Sequence, residues 1–538
     1  MPTSYGAPLF DRFFATFPGR QTLKVTRRLA AHGLRTADAR NTTRRLVRDI
    51  DRHGGTRRES ITGRIGTLLD ALGVPRPADP GTRALVDTLI GALTPLDEAG
   101  AWLTLAVLGG RLPTSDEVLS ARRAAEVDGL VAVLRMTVWS GPLPRLLDKG
   151  PFVPVEVIAG ATLVDVDHTA KVGFATGIQR VTREAVRRWA ERHDVVFVGW
   201  HADGVSLRRL TPEEVRRACW GGPAVVDPEP GPVLVPVGCS YLLPELATEP
   251  ARTGALLSLA QHSTNRLAVI GYDMCPITVP ETCGPGMPAA FARNLAAVRH
   301  ADAVATISEA AAVEYRGWAA MLPQIGIPGP RVTACLLPNT GADASPEALA
   351  AGADRLLVAG LPMVLVVGSH EPRKNHLAVL HAAELLWREG LAFSLTFIGG
   401  NAWSSEAFTE LLADRQRNGR PVETISAATD DLLFAAYRLA RFSVFPSLNE
   451  GFGLPVVESI ACGTPVITSD FGSLREITAD GGALLVDPRD DHALAAAMRT
   501  LLTDDAELER LAKQARSRPT RTWDEYADQA WQILNPER

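Results

Sequence analysis

Cysteine is scarce in this chain, with six in 538 residues, at 219, 239, 275, 283, 335 and 462. None of them falls in the paired spacing of a zinc or iron–sulfur site, so no metal centre is expected. Their spacing leaves a local Cys275–Cys283 disulfide or a fully reduced set, and the reduced set is what a cytoplasmic protein would carry. No window reaches the roughly 18 to 20 apolar residues of a membrane span. The opening, MPTSYGAPLFDRFFATF, has neither the basic nor the long apolar segment of a secretory signal. The cytoplasm is therefore the expected compartment, with contact at the membrane periphery left open. Nor is there an excess of positive charge: 56 Lys and Arg against 61 Asp and Glu give a net charge of −5, which excludes a globally basic nucleic-acid binder. Neither solenoid-period repeats nor low-complexity tracts occur.

What is present is the composition of an ordinary globular protein, 46% apolar and 22% charged, long enough for two or three domains. Residues 1–150 are rich in Arg, Ala and Leu, with helical apolar spacing at Ile65, Leu68, Leu69 and Leu72 and again over 101–108. Pro75, Pro77, Pro80, Pro95 and Pro113 punctuate it. This reads as a helical module with no catalytic constellation. Within it, Arg40, Arg44, Arg45, Arg48, Arg52, Arg57 and Arg58 crowd one stretch, interspersed with Asp49 and Asp51. That stretch is a solvated helix face or a site for phosphate, a polyanion or membrane lipid; charge alone does not choose.

From residue 151 the pattern changes to short β-branched runs separated by helices. Strands are expected at 155–158, 161–166, 195–198, 233–237, 267–270, 303–306 and 332–337, with helices at 177–186, 252–262, 288–300 and 308–322. After an Ala- and Gly-rich linker at 339–354, a second series begins at 363–368, 394–400, 442–445 and 465–469. Alternation of this kind predicts parallel sheets covered by helices. The division is a helical module at 1–150 and α/β domains at 151–345 and 346–538. Ligands in such sheets bind at the carboxyl ends of strands, and the motifs lie there.

In Phe445-Pro-Ser-Leu-Asn-Glu-Gly-Phe-Gly-Leu-Pro-Val-Val-Glu458, two carboxylates, Glu450 and Glu458, bracket a glycine turn that enters a helix. The free N–H groups at that helix start favour an anion, and Gly451 and Gly453 permit close backbone approach. One carboxylate in the turn and one on the helix would serve separate parts of an elongated ligand, as a nucleotide sugar is. In Gly368-Ser-His-Glu-Pro-Arg-Lys-Asn-His376, Arg373 and Lys374 stand at a helix start, where the dipole disfavours cations; a bound diphosphate would answer them. An earlier loop and helix mouth, at Asp167 to Arg180, places Gly177 and Arg180 at the end of a strand of the first domain. Tyr272 and Asp273 end another, where Asp273 is a cleft residue or a turn aspartate before Pro276.

The 445–458 segment resembles the glutamate-x7-glutamate motif of glycosyltransferase family 4, and the flanking motifs resemble those of bacterial polysaccharide mannosyl- and rhamnosyltransferases. The resemblance implies the GT-B fold: two facing Rossmann-like domains with a central cleft, here preceded by the helical module and with the last helix returning to the first domain. It implies that Glu450, Gly451, Phe452, Gly453 and Leu454 surround the donor sugar and phosphate and that Glu458 binds ribose hydroxyls. Arg373 and Lys374 match the phosphate-binding region, with Ser369 where many members place an arginine; Tyr272 stands where many carry histidine. The expected catalytic set is Glu450, Lys374, Arg373 and Asp273. Gly177 and Ser369 join the donor side, and Tyr272 and Arg180 the acceptor side. The resemblance further implies a retaining transfer, without metal or other cofactor, from a nucleoside diphosphate sugar, GDP-mannose or dTDP-rhamnose, to a hydroxyl of a glycan, lipid-linked or small-molecule acceptor. A nucleotide-sugar 2-epimerase, and a degenerate transferase serving as a binding or scaffold protein, are the alternatives. The sequence does not set the oligomeric state.

Overall fold

The computed structural model describes residues 39–52, 55–78, 81–139, 153–172, 176–222, 231–341 and 343–536. They divide into two compact units, one of residues up to Gly109 together with Asp116–Phe152, the other of Gly110–Ser115 and Val153 onward. The first unit is helical: α1 (Ala39–Arg52), α2 (Gly55–Ala71), α3 (Thr82–Ala92), α4 (Glu98–Gly109), α5 (Ser115–Asp128) and α6 (Leu130–Trp139). Leu46 and Ile50 of α1, Ile65, Leu68 and Leu69 of α2, and Trp102 and Val107 of α4 are buried. The helical periodicity read from the sequence is thus the periodicity of this core.

The second unit holds two sheets. The first joins β1 (Val155–Ala159), β2 (Thr162–Asp165), β3 (Val196–Trp200), β4 (Leu207–Arg209), β5 (Val233–Val237), β6 (Ser240–Leu243), β7 (Arg266–Gly271), β8 (Ala303–Thr306) and β9 (Arg331–Ala334), in the order 1-5-4-3-2-6-7-8-9. It is parallel except for β4, which runs antiparallel to both neighbours. The second is wholly parallel, with β10 (Met363–Val367), β11 (Ser394–Ile398), β12 (Val422–Ile425), β13 (Phe442–Phe445), β14 (Val466–Ser469) and β15 (Ala483–Val486) in the order 12-11-10-13-14-15. Its central strands are apolar on both faces because helices cover both. The helix-covered, largely parallel sheets are those the sequence predicts.

Helices α7 (Gly177–Arg192), α8 (Glu309–Ala319), α10 (Leu454–Ala461) and α11 (Gly472–Ile477) meet between the sheets, while α9 (Pro346–Leu356) packs on the second sheet's side and α12 (Trp523–Leu534) on the first's. The expected linker 339–354 is shorter than its composition suggests, since its second half is the start of α9. Ser345 caps that helix by accepting from Ala348 N at 3.1 Å, Pro346 opens it, and its small residues serve close packing: a Cβ on Gly352 would lie 2.9 Å from that of Ala435. At the other end of the chain, α12 lies on the first sheet's side. Tyr526, Ala527, Ala530 and Leu534 share one apolar cluster with Val181, Ala185 and Trp189, and Trp189 Nε1 donates to Ala527 O at 2.9 Å.

Candidate functional site

The loop after β13 crosses to the first sheet. Gly451 lies against the end of β7, where an added Cβ would stand 2.5 Å from Tyr272 O and 3.1 Å from Asp273 Cβ. Only a residue without a side chain fits there. Ser308 Oγ, which caps α8 by accepting from Ala311 N at 3.0 Å, donates to Gly451 O at 2.6 Å. Asn449 Nδ2 donates to Thr278 Oγ1 at 3.1 Å and to Glu314 Oε1 at 3.3 Å. Gly453, at φ +106°, turns the chain into α10, and a Cβ there would strike Leu474 Cδ2 at 2.5 Å. Glycine is required at both places, for contact at 451 and for conformation and contact at 453.

Glu450 is the hub of this loop. Its Oε1 is 2.8 Å from Arg373 Nη1 and 2.7 Å from Lys374 Nζ, and it accepts from Ser447 Oγ at 2.6 Å. Arg373 also reaches Glu371 Oε1 at 2.5 Å through Nη2 and Asn449 O at 3.0 Å through Nη1. Burial opposes ionisation of Glu450, but the two cations overrule it and bring its carboxyl down to about 2. Arg373 is likewise held above its ordinary value against the effect of burial, by Glu450 and Glu371.

This changes the reading of the Arg–Lys pair. From sequence alone the two cations lack a counterion at a helix start; in the fold they have two carboxylates, one of them 76 residues away in sequence. They sit in a single 3-10 turn, Pro372–Lys374, and Asn375, at φ +56°, leads into the helix His376–Arg388. Arg373 meets Glu450, Glu371 and the Asn449 carbonyl through its two terminal nitrogens. Lys374 Nζ has one hydrogen-bond partner among the described residues, Glu450, and an ammonium carries three donors.

Glu458, on α10, belongs to a separate network. Arg180 of α7 reaches from the first sheet's side to its Oε1, and Tyr437 Oη donates to its Oε2 at 3.2 Å. Burial raises the Glu458 carboxyl while Arg180 lowers it, and the net direction is upward. Arg180, expected on the acceptor side, is thus a partner of Glu458, the glutamate expected on the donor side. Gly177, the first residue of α7, faces α10: a Cβ there would lie 3.7 Å from Leu454 Cδ1. Two helix N-termini from opposite sheets therefore converge beside the glycine turn.

Other expected residues are placed differently. Tyr272 is 7% exposed, and its hydroxyl donates to Pro244 O at 2.6 Å and meets Thr182 Oγ1 at 3.1 Å, so it is a core residue. Asp273 accepts from Cys275 N at 3.0 Å through Oδ1, which is the turn geometry weighed from sequence, although its backbone does border Gly451. Phe452 is 4% exposed, within the apolar cluster shared by both sheets. Ser369 Oγ donates to Glu371 Oε2 at 3.1 Å, which steadies the carboxylate that holds Arg373. All six cysteines are free thiols.

Residues the sequence did not single out are Asn449, Ser447, Tyr437, Glu371 and Glu314. Glu476 accepts from Glu309 N at 2.9 Å and Ala310 N at 2.8 Å, a cap for α8 supplied from the other sheet's side. Among these, Asn449 and Ser447 had a signal, for they lie within the motif that carries Glu450.

Residues 353–518 match the family described as "Glycosyl transferases group 1". Curated relatives include the serotype-specific mannosyltransferase WbdA of Escherichia coli, 27% identical over 341 residues, covering 59% of this chain and 38% of that protein. Another is the O-antigen chain mannosyltransferase B of Escherichia coli, 36% identical over 143 residues, covering 26% and 37%. The chain thus spans less than half the length of either. A solved structure, sucrose-phosphate synthase from Thermosynechococcus elongatus, aligns with a TM-score of 0.48 at 18% identity, covering 70% of this chain and 96% of that one.

Proposed function

We propose that this chain, a glycosyltransferase-type protein similar to bacterial mannosyltransferases, transfers a sugar from a nucleoside diphosphate sugar to a hydroxyl acceptor with retention of configuration. The matched segment, 353–518, contains Arg373, Lys374, Glu450 and Glu458. The names of the two mannosyltransferase relatives favour GDP-mannose over dTDP-rhamnose as the donor. A glycan, lipid-linked or small-molecule hydroxyl is the acceptor.

One observation carries the reading: Glu450 binds Lys374 beside the N-terminus of α10, within a loop seated on the end of β7. The donor's diphosphate would take the free donors of Lys374 and the open N–H groups at the helix mouth. Arg373 positions Glu450, and Glu450 positions Lys374. As the sugar–phosphate bond breaks, charge grows on the leaving diphosphate, and fixed cations aimed at it lower the barrier. The acceptor oxygen bonds to the anomeric carbon on the same face, and its proton passes to the departing phosphate oxygen. Glu458 keeps lone-pair capacity beyond Arg180 and Tyr437 for ribose hydroxyls. Close seating of the loop on the first sheet would keep water from the donor.

Calorimetric titration with nucleoside diphosphates tests this. Lys374→Ala is expected to weaken diphosphate binding about 10- to 100-fold, the size of a lost charge-assisted contact of about 1.5 to 3 kcal/mol. Unchanged affinity would remove Lys374 from the phosphate site.

A further inference from the structure

We infer that the helical unit carries its own binding site for a phosphate-bearing group, in a surface hollow of about 420 Å³ lined by Arg44, Val47, Arg48, Asp51, Arg52 and Arg83. The hollow brings together residues from two helices. Arg44, Arg48 and Arg52 follow one another at four-residue steps on α1, and Arg83 comes from α3. Four-residue spacing puts the three on a single stripe, each about 6 Å along the axis from the last. The opposite face of the same helix buries Leu46 and Ile50, each 1% exposed. Helix orientation is thus fixed by the core, and the arginine stripe cannot turn away.

Like charges at such spacing repel, and this destabilises a helix unless an anion answers them. Very little does. Asp51, the carboxylate in the hollow, lies 3.0 Å from Arg58 Nε and accepts from Thr82 Oγ1 at 2.6 Å, so its charge is already shared. Asp87 lies 3.4 Å from Arg83 Nε. Arg44, Arg48 and Arg52 form no ion pair with any described carboxylate. Several surface arginines elsewhere are paired, as Arg188 and Arg192 with Asp524 and Arg499 with Glu389. With a net charge of −5 over the whole chain, this unanswered patch is local and not a by-product of general basicity.

The chemistry selects the ligand class. Guanidinium groups stay charged at every working pH and present planar forks that match phosphate oxygens two at a time. The hollow is shallow, so it would hold a group by charge rather than by enclosure, and several arginines favour one bearing two or more negative charges, such as a diphosphate or a phosphomonoester. A soluble phosphorylated molecule and a lipid headgroup both present that chemistry.

Arginine footprinting with phenylglyoxal on the full-length protein, read by mass spectrometry, tests the site directly and separates it from Lys374, which the reagent does not report. The probes are inorganic pyrophosphate and, separately, vesicles of phosphatidylcholine with and without phosphatidic acid. Arg44, Arg48, Arg52 and Arg83 are expected to react about tenfold more slowly with pyrophosphate at about ten times its dissociation constant, while Arg216 and Arg417 are unaffected. Protection by pyrophosphate alone assigns the site to a soluble phosphorylated ligand. Protection that also appears with phosphatidic acid vesicles, and not with phosphatidylcholine alone, assigns it to a headgroup. The triple variant Arg44→Ala, Arg48→Ala, Arg52→Ala, with unchanged circular dichroism, should lose protection at Arg83. No protection by either probe, or equal protection of Arg216 and Arg417, overturns the inference.

Discussion

At the scale of single residues, the site depends on two required glycines and two buried carboxylates with opposite electrostatics. Gly451→Ala adds a methyl group where Tyr272 O stands 2.5 Å away, so the loop must lift off the end of β7. The expected result is a fall in kcat of about tenfold or more, since displacement of the reacting groups by a fraction of an ångström is costly. Gly63→Ala, whose Cβ meets nothing, should be silent in the same steady-state assay. Glu450 is held down to about 2 by Arg373 and Lys374; its ion pairs therefore stabilise the fold above the unfolded value near ~4.3 and are lost only as pH falls toward 2. Glu458 is shifted the other way, upward by burial. Removing Arg180 leaves burial opposed only by the Tyr437 hydrogen bond, so Arg180→Ala should destabilise by about 1 to 3 kcal/mol near pH 8. The deficit should shrink as pH falls toward 5 and the carboxyl takes a proton. Thermal melts at the two pH values check this, and a deficit that grows on acidification would reverse the assignment.

At the scale of elements, the two sheets are tied by caps and by a returning helix. Glu476 supplies α8 with two carboxylate acceptors from the second sheet's side. Glu476→Ala should cost about 1 kcal/mol, as lost caps do, measurable as a lower denaturant midpoint, with Glu476→Gln recovering part of it. The strands were legible where β-branched residues run unbroken, as in Met363–Val367 and Ala303–Thr306. Strand β4 was not, because Leu207-Arg-Arg209 is short and charged; Arg208 is buried there only because Glu214 meets it with both oxygens, at 2.6 and 2.8 Å. Helix α9 was hidden for a different reason, since Ala and Gly that pack tightly look like linker composition. The motif positions of Glu450, Glu458, Arg373 and Lys374 could be read from sequence. Their ion-pair partners could not, because Arg180 and Glu458 are 278 residues apart and only the fold brings them together.

At the scale of the whole molecule, the proposed donor-site residues fall in the second unit and the arginine hollow in the first, so the two binding functions are separable in principle. A chain beginning at Val153 should retain nucleoside diphosphate affinity. It would be less stable, because Leu112, fully buried and with its N–H donating to Val205 O at 2.9 Å, belongs to the second unit; loss of such a side chain costs about 2 to 5 kcal/mol. In the proposed function, Glu450 and Lys374 form the reacting end of a sugar-transfer site. That role is tested most directly by nucleoside diphosphate release from a panel of nucleotide sugars, with the anomeric configuration of the product followed by NMR. We expect release from at least one donor with retained configuration, and a fall of about 100-fold or more in kcat for Glu450→Gln with donor binding preserved. Release unaffected by Glu450→Gln, or conversion of the donor to its 2-epimer with no transfer, would contradict it.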